Sequence, residues 1–84
     1  MRVQAEVSLY PLRTATLMDS IQAFCDALAA GGVEVRSGPM SSLVAGESGQ
    51  VFAALGRAFE QVGRERDVVL VLKVSNCCPQ GSAG

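Results

Sequence analysis

The chain has 84 residues, of which 49% are hydrophobic, and its seven basic and eight acidic side chains give a formal net charge of −1. This length fits one small domain and excludes a multidomain enzyme with a bound dinucleotide, while the apolar content excludes a disordered chain. Because the basic residues form no cluster, nucleic acid is not an expected partner.

The first third of the chain predicts a strand followed by a helix. Apolar and polar residues alternate from Val3 to Leu9, which is typical of a strand with one polar face, and Pro11 ends the pattern. Apolar residues at helical spacing then predict a helix to about Ala30, where two glycines stop it.

The rest of the chain predicts a hairpin, a second helix and a last strand. Val33 to Arg36 and Met40 to Ala45 are separated by a Ser-Gly-Pro break, so we expect two short paired strands. Helical spacing recurs from Val51 to Val62, and the apolar run from Val68 to Val74 is interpreted as a strand. On the helices, Phe24, Phe52, Phe59 and Cys25 are expected in the core.

The order β-α-β-β-α-β predicts a ferredoxin-like α+β fold, in which a four-stranded antiparallel sheet carries two helices on one face. The first strand is then central. We assign residues 1–79 to this single domain and expect residues 80–84, rich in Gly and Ser, to form a mobile tail.

Alternation divides the strand residues between the two faces of the predicted sheet. Leu43, Leu70 and Leu72 are expected to face the helices. The open face is expected to carry Glu6, Ser8, Tyr10, Met40, Ser42, Val44, Val69, Val71 and Lys73. Since part of this face is apolar, we expect a second copy to cover it in a homo-oligomer, a dimer or a tetramer, enclosing a pocket for a small organic molecule. The alternative is that its polar residues only face water or a homodimer seam.

Four short motifs carry a resemblance to a known family. They are Ser8-Leu9-Tyr10-Pro11, the segment from Met40 to Gly46, Val51-Phe52, and Ser75-Asn76-Cys77-Cys78-Pro79. In their order and spacing, over about residues 3 to 79, they resemble the YkoF family of thiamine and hydroxymethylpyrimidine-binding proteins. The chain departs from that family in having Ser41-Ser42 where Ser-Thr is common and Cys77 where Gly is expected. It also holds one copy of a domain that some members carry twice.

The resemblance implies a ferredoxin-like fold and non-catalytic binding of thiamine or its hydroxymethylpyrimidine precursor in the cytoplasm, linked to thiamine uptake or salvage. The predicted ligand-binding set is Glu6, Ser8, Tyr10, Ser42, Val44, Val71 and Lys73. Glu6 can pair with the ligand amine or offset a thiazolium charge, and Tyr10 can stack on a ring. Equally, Glu6 can pair with Lys73 across the sheet. The lack of clustered basic residues and of a phosphate-binding loop favours the unphosphorylated vitamin over its diphosphate.

The three cysteines and the absence of histidine limit the other kinds of site that the chain could form. Cys25, Cys77 and Cys78 make an odd count with an adjacent pair, and no signal-peptide pattern opens the chain, so we expect reduced thiols in the cytoplasm. The longest strongly apolar stretch, Val68 to Leu72, has five residues, so membrane insertion is not expected. With no histidine in the chain, we expect no catalytic residues, no metal and no cofactor besides the ligand.

Two other functions remain as alternatives. One is a ferredoxin-like regulatory module that binds another small metabolite, such as an amino acid. The other is a small enzyme of the dimeric α+β barrel kind. The absence of His and of a second acidic residue on the open face of the first strand argues against it.

Overall fold

The computed structural model of the protein describes residues 1–38 and 41–77. Its elements are β1 (Arg2–Pro11), α1 (Leu17–Ala30), β2 (Glu34–Ser37), β3 (Ser42–Glu47), α2 (Ser48–Gly63) and β4 (Val68–Ser75). The four strands form one antiparallel sheet in the order β2-β3-β1-β4, so β1 is central. The ferredoxin-like α+β fold predicted from the sequence is confirmed.

Strand β1 is longer than predicted because Pro11 is part of it. Pro11 pairs with Val68 of β4, whereas the pairing of β1 with β3 ends at Val7 and Ser42. The N–H of the next residue, Leu12, donates to the carbonyl of Asp67 at 2.9 Å. Backbone direction alternates along a strand, so the proline nitrogen points to the side that has no partner strand, and its missing N–H costs no bond.

The core lies between the sheet and the two helices. Val3, Ala5 and Val7 of β1 are buried there against Phe24 and Leu28 of α1. The two helices approach each other closely at the end of α1, where a Cβ atom on Gly31 would lie 2.7 Å from the Cβ of Ala54. Glycine and alanine at this contact allow both helices to lie on the same face of the sheet.

The predicted faces of β3 are wrong. Val44 pairs with Ala5 and Ser42 with Val7, which places both residues on the helix side of the sheet. Val44 is completely buried, and the Ser42 hydroxyl lies 3.6 Å from the sulfur of Cys25 on α1. Leu43, predicted to face the helices, instead lies beside Glu6 on the open face and is 41% exposed.

The packing of α2 gives the physical reason. Leu43 and Val44 are both apolar, so alternation alone does not choose between them. Gly46, two residues after Val44, lies beneath the start of α2, and a Cβ there would meet side-chain carbons of Val33 and Val51 at 3.5 Å. Gly46 and Val44 therefore lie on the same side of β3, under the helix, and the even-numbered residues of this strand face the core.

Two of the three phenylalanines also depart from the prediction. Phe24 and Cys25 are buried as predicted, but Phe52 is 54% and Phe59 is 39% exposed. The buried side of α2 consists of Val51, Ala54, Leu55, Ala58 and Val62. The phenylalanines lie to one side of this stripe, so their rings extend past the edge of the core.

Several predicted features lie outside the described residues. They are the face of Met40, the environment of Cys78, the domain boundary at Pro79 and the tail over residues 80–84. Within the part that the structure describes, no helix has the length and apolar character needed to cross a membrane.

The orientation of β3 predicts unequal effects of two alanine substitutions. Val44→Ala removes buried carbons and is expected to lower the free energy of unfolding by about 2 kcal/mol. Leu43→Ala, at the adjacent position on the open face, is expected to lower the free energy of unfolding by less than about 1 kcal/mol. Urea unfolding of both variants measures the difference, and a larger loss for Leu43→Ala would contradict the observed faces.

Candidate functional site

The open face of the sheet is organised in rows of paired residues that run across the strands. The first row holds Glu34, Ala45, Gln4 and Ser75, and the second holds Arg36, Leu43, Glu6 and Lys73. Beyond them, Ser8 pairs with Val71 and Tyr10 with Val69. Neighbouring strands lie about 4.8 Å apart, so each four-residue row is roughly 14 Å wide.

A groove occupies the end of this face where the first two rows lie. It has a volume of about 550 Å³, which falls within the roughly 300–1,000 Å³ typical of small-molecule sites. It is lined by Arg2, Val3, Gln4, Glu34, Arg36, Leu43, Ala45, Ser75, Asn76 and Cys77. We call it the open-face groove. Its mixture of apolar and polar groups suits a small organic ligand.

Charged side chains surround the apolar lining of the groove. The Arg2 guanidinium donates to a carboxylate oxygen of Glu34 at 2.7 Å, and both side chains are exposed. Arg36 has no carboxylate within salt-bridge distance among the described residues. Because Glu34 offsets the charge of Arg2, Arg36 leaves the groove with one excess positive charge.

Glu6 borders the groove through its neighbour Leu43. One carboxylate oxygen accepts a hydrogen bond from the Ser41 hydroxyl at 3.4 Å, and the other lies 4.0 Å from the ammonium of Lys73. The exposed fractions of the two charged side chains are 51% for Glu6 and 82% for Lys73. A pair so long and so exposed contributes little. The Glu6 carboxylate is therefore accessible to a ligand.

The predicted site residues divide between the two faces of the sheet. Glu6, Ser8, Tyr10, Val71 and Lys73 lie on the open face as the alternation predicts. Ser42 and Val44 lie on the helix side and cannot line a site on this face. Tyr10 is six residues from Gln4, roughly 20 Å along the strand, so one subunit does not bring the tyrosine to the groove.

Most residues of the groove were not predicted from the sequence, although signals for them exist. Arg2 and Gln4 share the alternation of Glu6, and Glu34 and Arg36 alternate in the same way on β2. The fold brings Arg2 and Arg36 to one groove although they lie far apart in the chain. The sequence therefore showed no cluster of basic residues where the structure forms a small one.

The chain leaves β4 through a polar turn at the groove. The backbone N–H of Cys77 donates to the Ser75 hydroxyl at 2.9 Å, and Asn76 lies between them. Cys25 and Cys77 are both free thiols. Within residues 1–38 and 41–77, no three His, Cys, Asp or Glu side chains are grouped so that they could hold a metal ion.

Nearly the whole chain matches a known protein family. The model of the YKOF-related family matches residues 2–81. The chain belongs to the YKOF-related family. This confirms the family that the four sequence motifs resemble. No curated protein sequence matches the chain.

Solved structures agree with the YKOF-related chain in fold. A hypothetical protein from Methanocaldococcus jannascii superposes with a TM-score of 0.82 and 24% identity, covering 93% of this chain and 82% of its own. A protein from Streptococcus pneumoniae gives a TM-score of 0.81 and 21% identity, covering 89% and 86%. A protein from Thermotoga maritima, provisionally assigned to thiamine biosynthesis or salvage, gives a TM-score of 0.79 and 17% identity. The match covers 89% of this chain and 83% of that protein.

The contact between Glu6 and Lys73 predicts a small effect on stability. Lys73→Met is expected to change the free energy of unfolding by less than about 0.5 kcal/mol, because both side chains are exposed. Thermal or urea unfolding measures it, with Arg2→Met, which removes the shorter ion pair to Glu34, as the matched control. A loss above about 1 kcal/mol on Lys73→Met would show that Glu6 is held in a structural pair.

Proposed function

We propose that this protein binds thiamine or its hydroxymethylpyrimidine precursor, without catalysis, in the open-face groove. The observation that carries the proposal is the groove itself, where Leu43 and Ala45 provide an apolar surface among convergent polar groups. A ring can lie against these two side chains while the groups around it select its substituents. The family and the thiamine assignment of the Thermotoga maritima protein support the class of ligand.

The polar groups at the groove match an aminopyrimidine. Its exocyclic amine donates hydrogen bonds, which the carboxylates of Glu34 and Glu6 can accept. Its ring nitrogens accept hydrogen bonds, which Arg36 and the side-chain amides of Gln4 and Asn76 can donate. A carboxylate near the ligand would also offset the fixed positive charge of the thiazolium ring.

The groove offers few cationic groups to a diphosphate. Arg2 is already paired with Glu34, so among the described residues of the groove the guanidinium of Arg36 is the one left for an anion. A diphosphate normally needs several cationic or backbone N–H donors. We therefore expect thiamine diphosphate to bind more weakly than thiamine.

The proposal includes a homo-oligomer and a cytoplasmic location. A second copy on the open face would cover Val69, Val71 and Tyr10, which are exposed in the single chain, and would enclose the ligand more fully. The free thiols Cys25 and Cys77 support a reducing compartment, the cytoplasm. The bound ligand would then serve thiamine uptake or salvage.

A second candidate is a regulatory module that binds an acidic metabolite. The observation that favours it is Arg36, whose guanidinium has no carboxylate partner among the described residues and could bind a carboxylate ligand. Native mass spectrometry of protein purified from cells separates the two candidates, since a retained acidic metabolite would favour this one.

The ligand proposal predicts heat on calorimetric titration with thiamine or hydroxymethylpyrimidine. Glu6→Gln and Glu34→Gln are each expected to weaken binding by roughly tenfold or more, the loss of one hydrogen bond to a charged group. Glu60→Gln on the outer face of α2 is the matched control and is expected to bind as the wild type does.

Recovery of unchanged ligand after prolonged incubation, checked by chromatography, tests the absence of catalysis. Heat from none of thiamine, hydroxymethylpyrimidine and thiamine diphosphate would contradict the proposal. Binding unaffected by either glutamine substitution would contradict the groove as the site.

A further inference from the structure

Two opposite charges flank Leu43 on the open face of the sheet. Leu43 pairs with Glu6 of β1 on one side and with Arg36 of β2 on the other, so the three residues share one row. Neighbouring strands lie about 4.8 Å apart, so each charged residue is one strand away from the leucine. A ligand ring that lies on Leu43 therefore has a carboxylate on one side and a guanidinium on the other.

These two charges are not equally offset by their surroundings. The carboxylate of Glu6 lies 4.0 Å from the ammonium of Lys73 and accepts a hydrogen bond from the Ser41 hydroxyl at 3.4 Å. Arg36, by contrast, has no carboxylate within salt-bridge distance among the described residues. Because Lys73 continues the same row beyond Glu6, it weakens the attraction of that carboxylate for a cation lying over Leu43.

Other charged groups at this end of the sheet cancel in pairs. The Arg2 guanidinium lies 2.7 Å from a carboxylate oxygen of Glu34, and the amino group of Met1 lies 3.3 Å from one of Glu47. Within the part of the chain that the structure describes, Arg36 is therefore the source of a positive potential over the apolar surface of the groove.

Charge is also what distinguishes the two candidate ligands. Thiamine and hydroxymethylpyrimidine share an aminopyrimidine ring, but thiamine adds a thiazolium ring with a fixed positive charge, whereas its precursor is neutral. Contacts of the shared ring with the groove contribute to the binding of both. The positive charge of Arg36 repels the thiazolium and has no such effect on the neutral precursor.

We propose that Arg36 is a specificity-determining residue, which makes the open-face groove select neutral aminopyrimidines over cationic ones. This inference rests on the proposed function and narrows it, because the charge of the groove then fits hydroxymethylpyrimidine better than thiamine. Two unit charges about 7 Å apart in a water-like medium change a binding constant by roughly threefold, and by more where the ligand displaces water.

Calorimetric titration with two ligands of nearly the same shape tests this role. Thiamine and its neutral analogue 3-deazathiamine, in which a thiophene ring replaces the thiazolium, differ in little besides charge. The wild type is expected to bind the analogue about three- to tenfold more tightly than thiamine. Arg36→Gln is expected to lower the ratio of the two dissociation constants by the same factor.

Two further variants separate charge from other effects of the substitution. Arg36→Lys keeps the positive charge but loses the planar guanidinium, so it is expected to retain the preference for the neutral analogue. Arg64→Gln is the matched control, because it removes the same charge from an exposed side chain outside the groove. It is expected to leave the ratio of dissociation constants unchanged.

Ionic strength provides a second measurement on the same proteins. Between about 10 mM and about 1 M salt, the screening length falls from roughly 30 Å to roughly 3 Å. Screening weakens repulsion by Arg36, so thiamine is expected to bind the wild type more tightly at high salt, while binding of the neutral analogue stays nearly constant. In Arg36→Gln this gain is expected to disappear.

Binding of both ligands with a ratio that Arg36→Gln leaves unchanged would overturn this inference and leave the proposed function intact. A wild type that binds thiamine as tightly as its neutral analogue, or more tightly, would overturn it as well. Heat from none of thiamine, its analogue and hydroxymethylpyrimidine would instead contradict the proposed function.

Discussion

The strict alternation of β1 is the constraint on which the rest of this structure depends. Because β1 is central, every second residue must fill the core, and Val3, Ala5 and Val7 do so beneath the helices. The residues between them, from Arg2 to Tyr10, are thereby fixed on the opposite face. A shift of one residue would bury Glu6 and expose the valines, at a cost that this small core could not offset. The core therefore sets the chemistry of the open face.

The same constraint explains why the site lies at one end of the sheet. On the open face, pairing extends across all four strands only in the rows that include Gln4 and Glu6. There, side chains from β2 and from the end of β4 surround Leu43 and Ala45 and form the groove. Toward Tyr10 the sheet narrows to β1 and β4, which give a flat apolar surface. One end therefore suits a small ligand and the other suits coverage by protein.

The fold could be predicted from the sequence because its signals are local and repeated. β1 alternates over many residues, β4 is a short apolar run, and both helices have an apolar stripe, so the order of elements and the faces of β1 follow. β3 has only six residues, with Leu43 and Val44 both apolar, so its face depends on pairing with β1 and on the approach of α2 to Gly46. Such tertiary contacts leave no periodic signal.

The candidate site could be predicted only in part. Glu6, Ser8 and Lys73 follow from alternation, but Arg2, Glu34 and Arg36 become neighbours only once the strand order is known. The exposure of the Phe52 and Phe59 rings could not be predicted for a similar reason. Helical spacing identifies the apolar side of a helix but not the width of the sheet that covers it. β4 is an edge strand, so the burial of its side chains depends on the helices above it and not on its own sequence pattern.

The most direct test of the central claim is a titration of ¹⁵N-labelled protein with thiamine, followed by amide chemical shifts. We expect the shifts of Gln4, Glu34, Arg36, Leu43 and Ala45 to move, while those of α1 and of the outer face of α2 stay in place. No shift at saturating thiamine, or shifts confined to the helices, would contradict a ligand site on the open face.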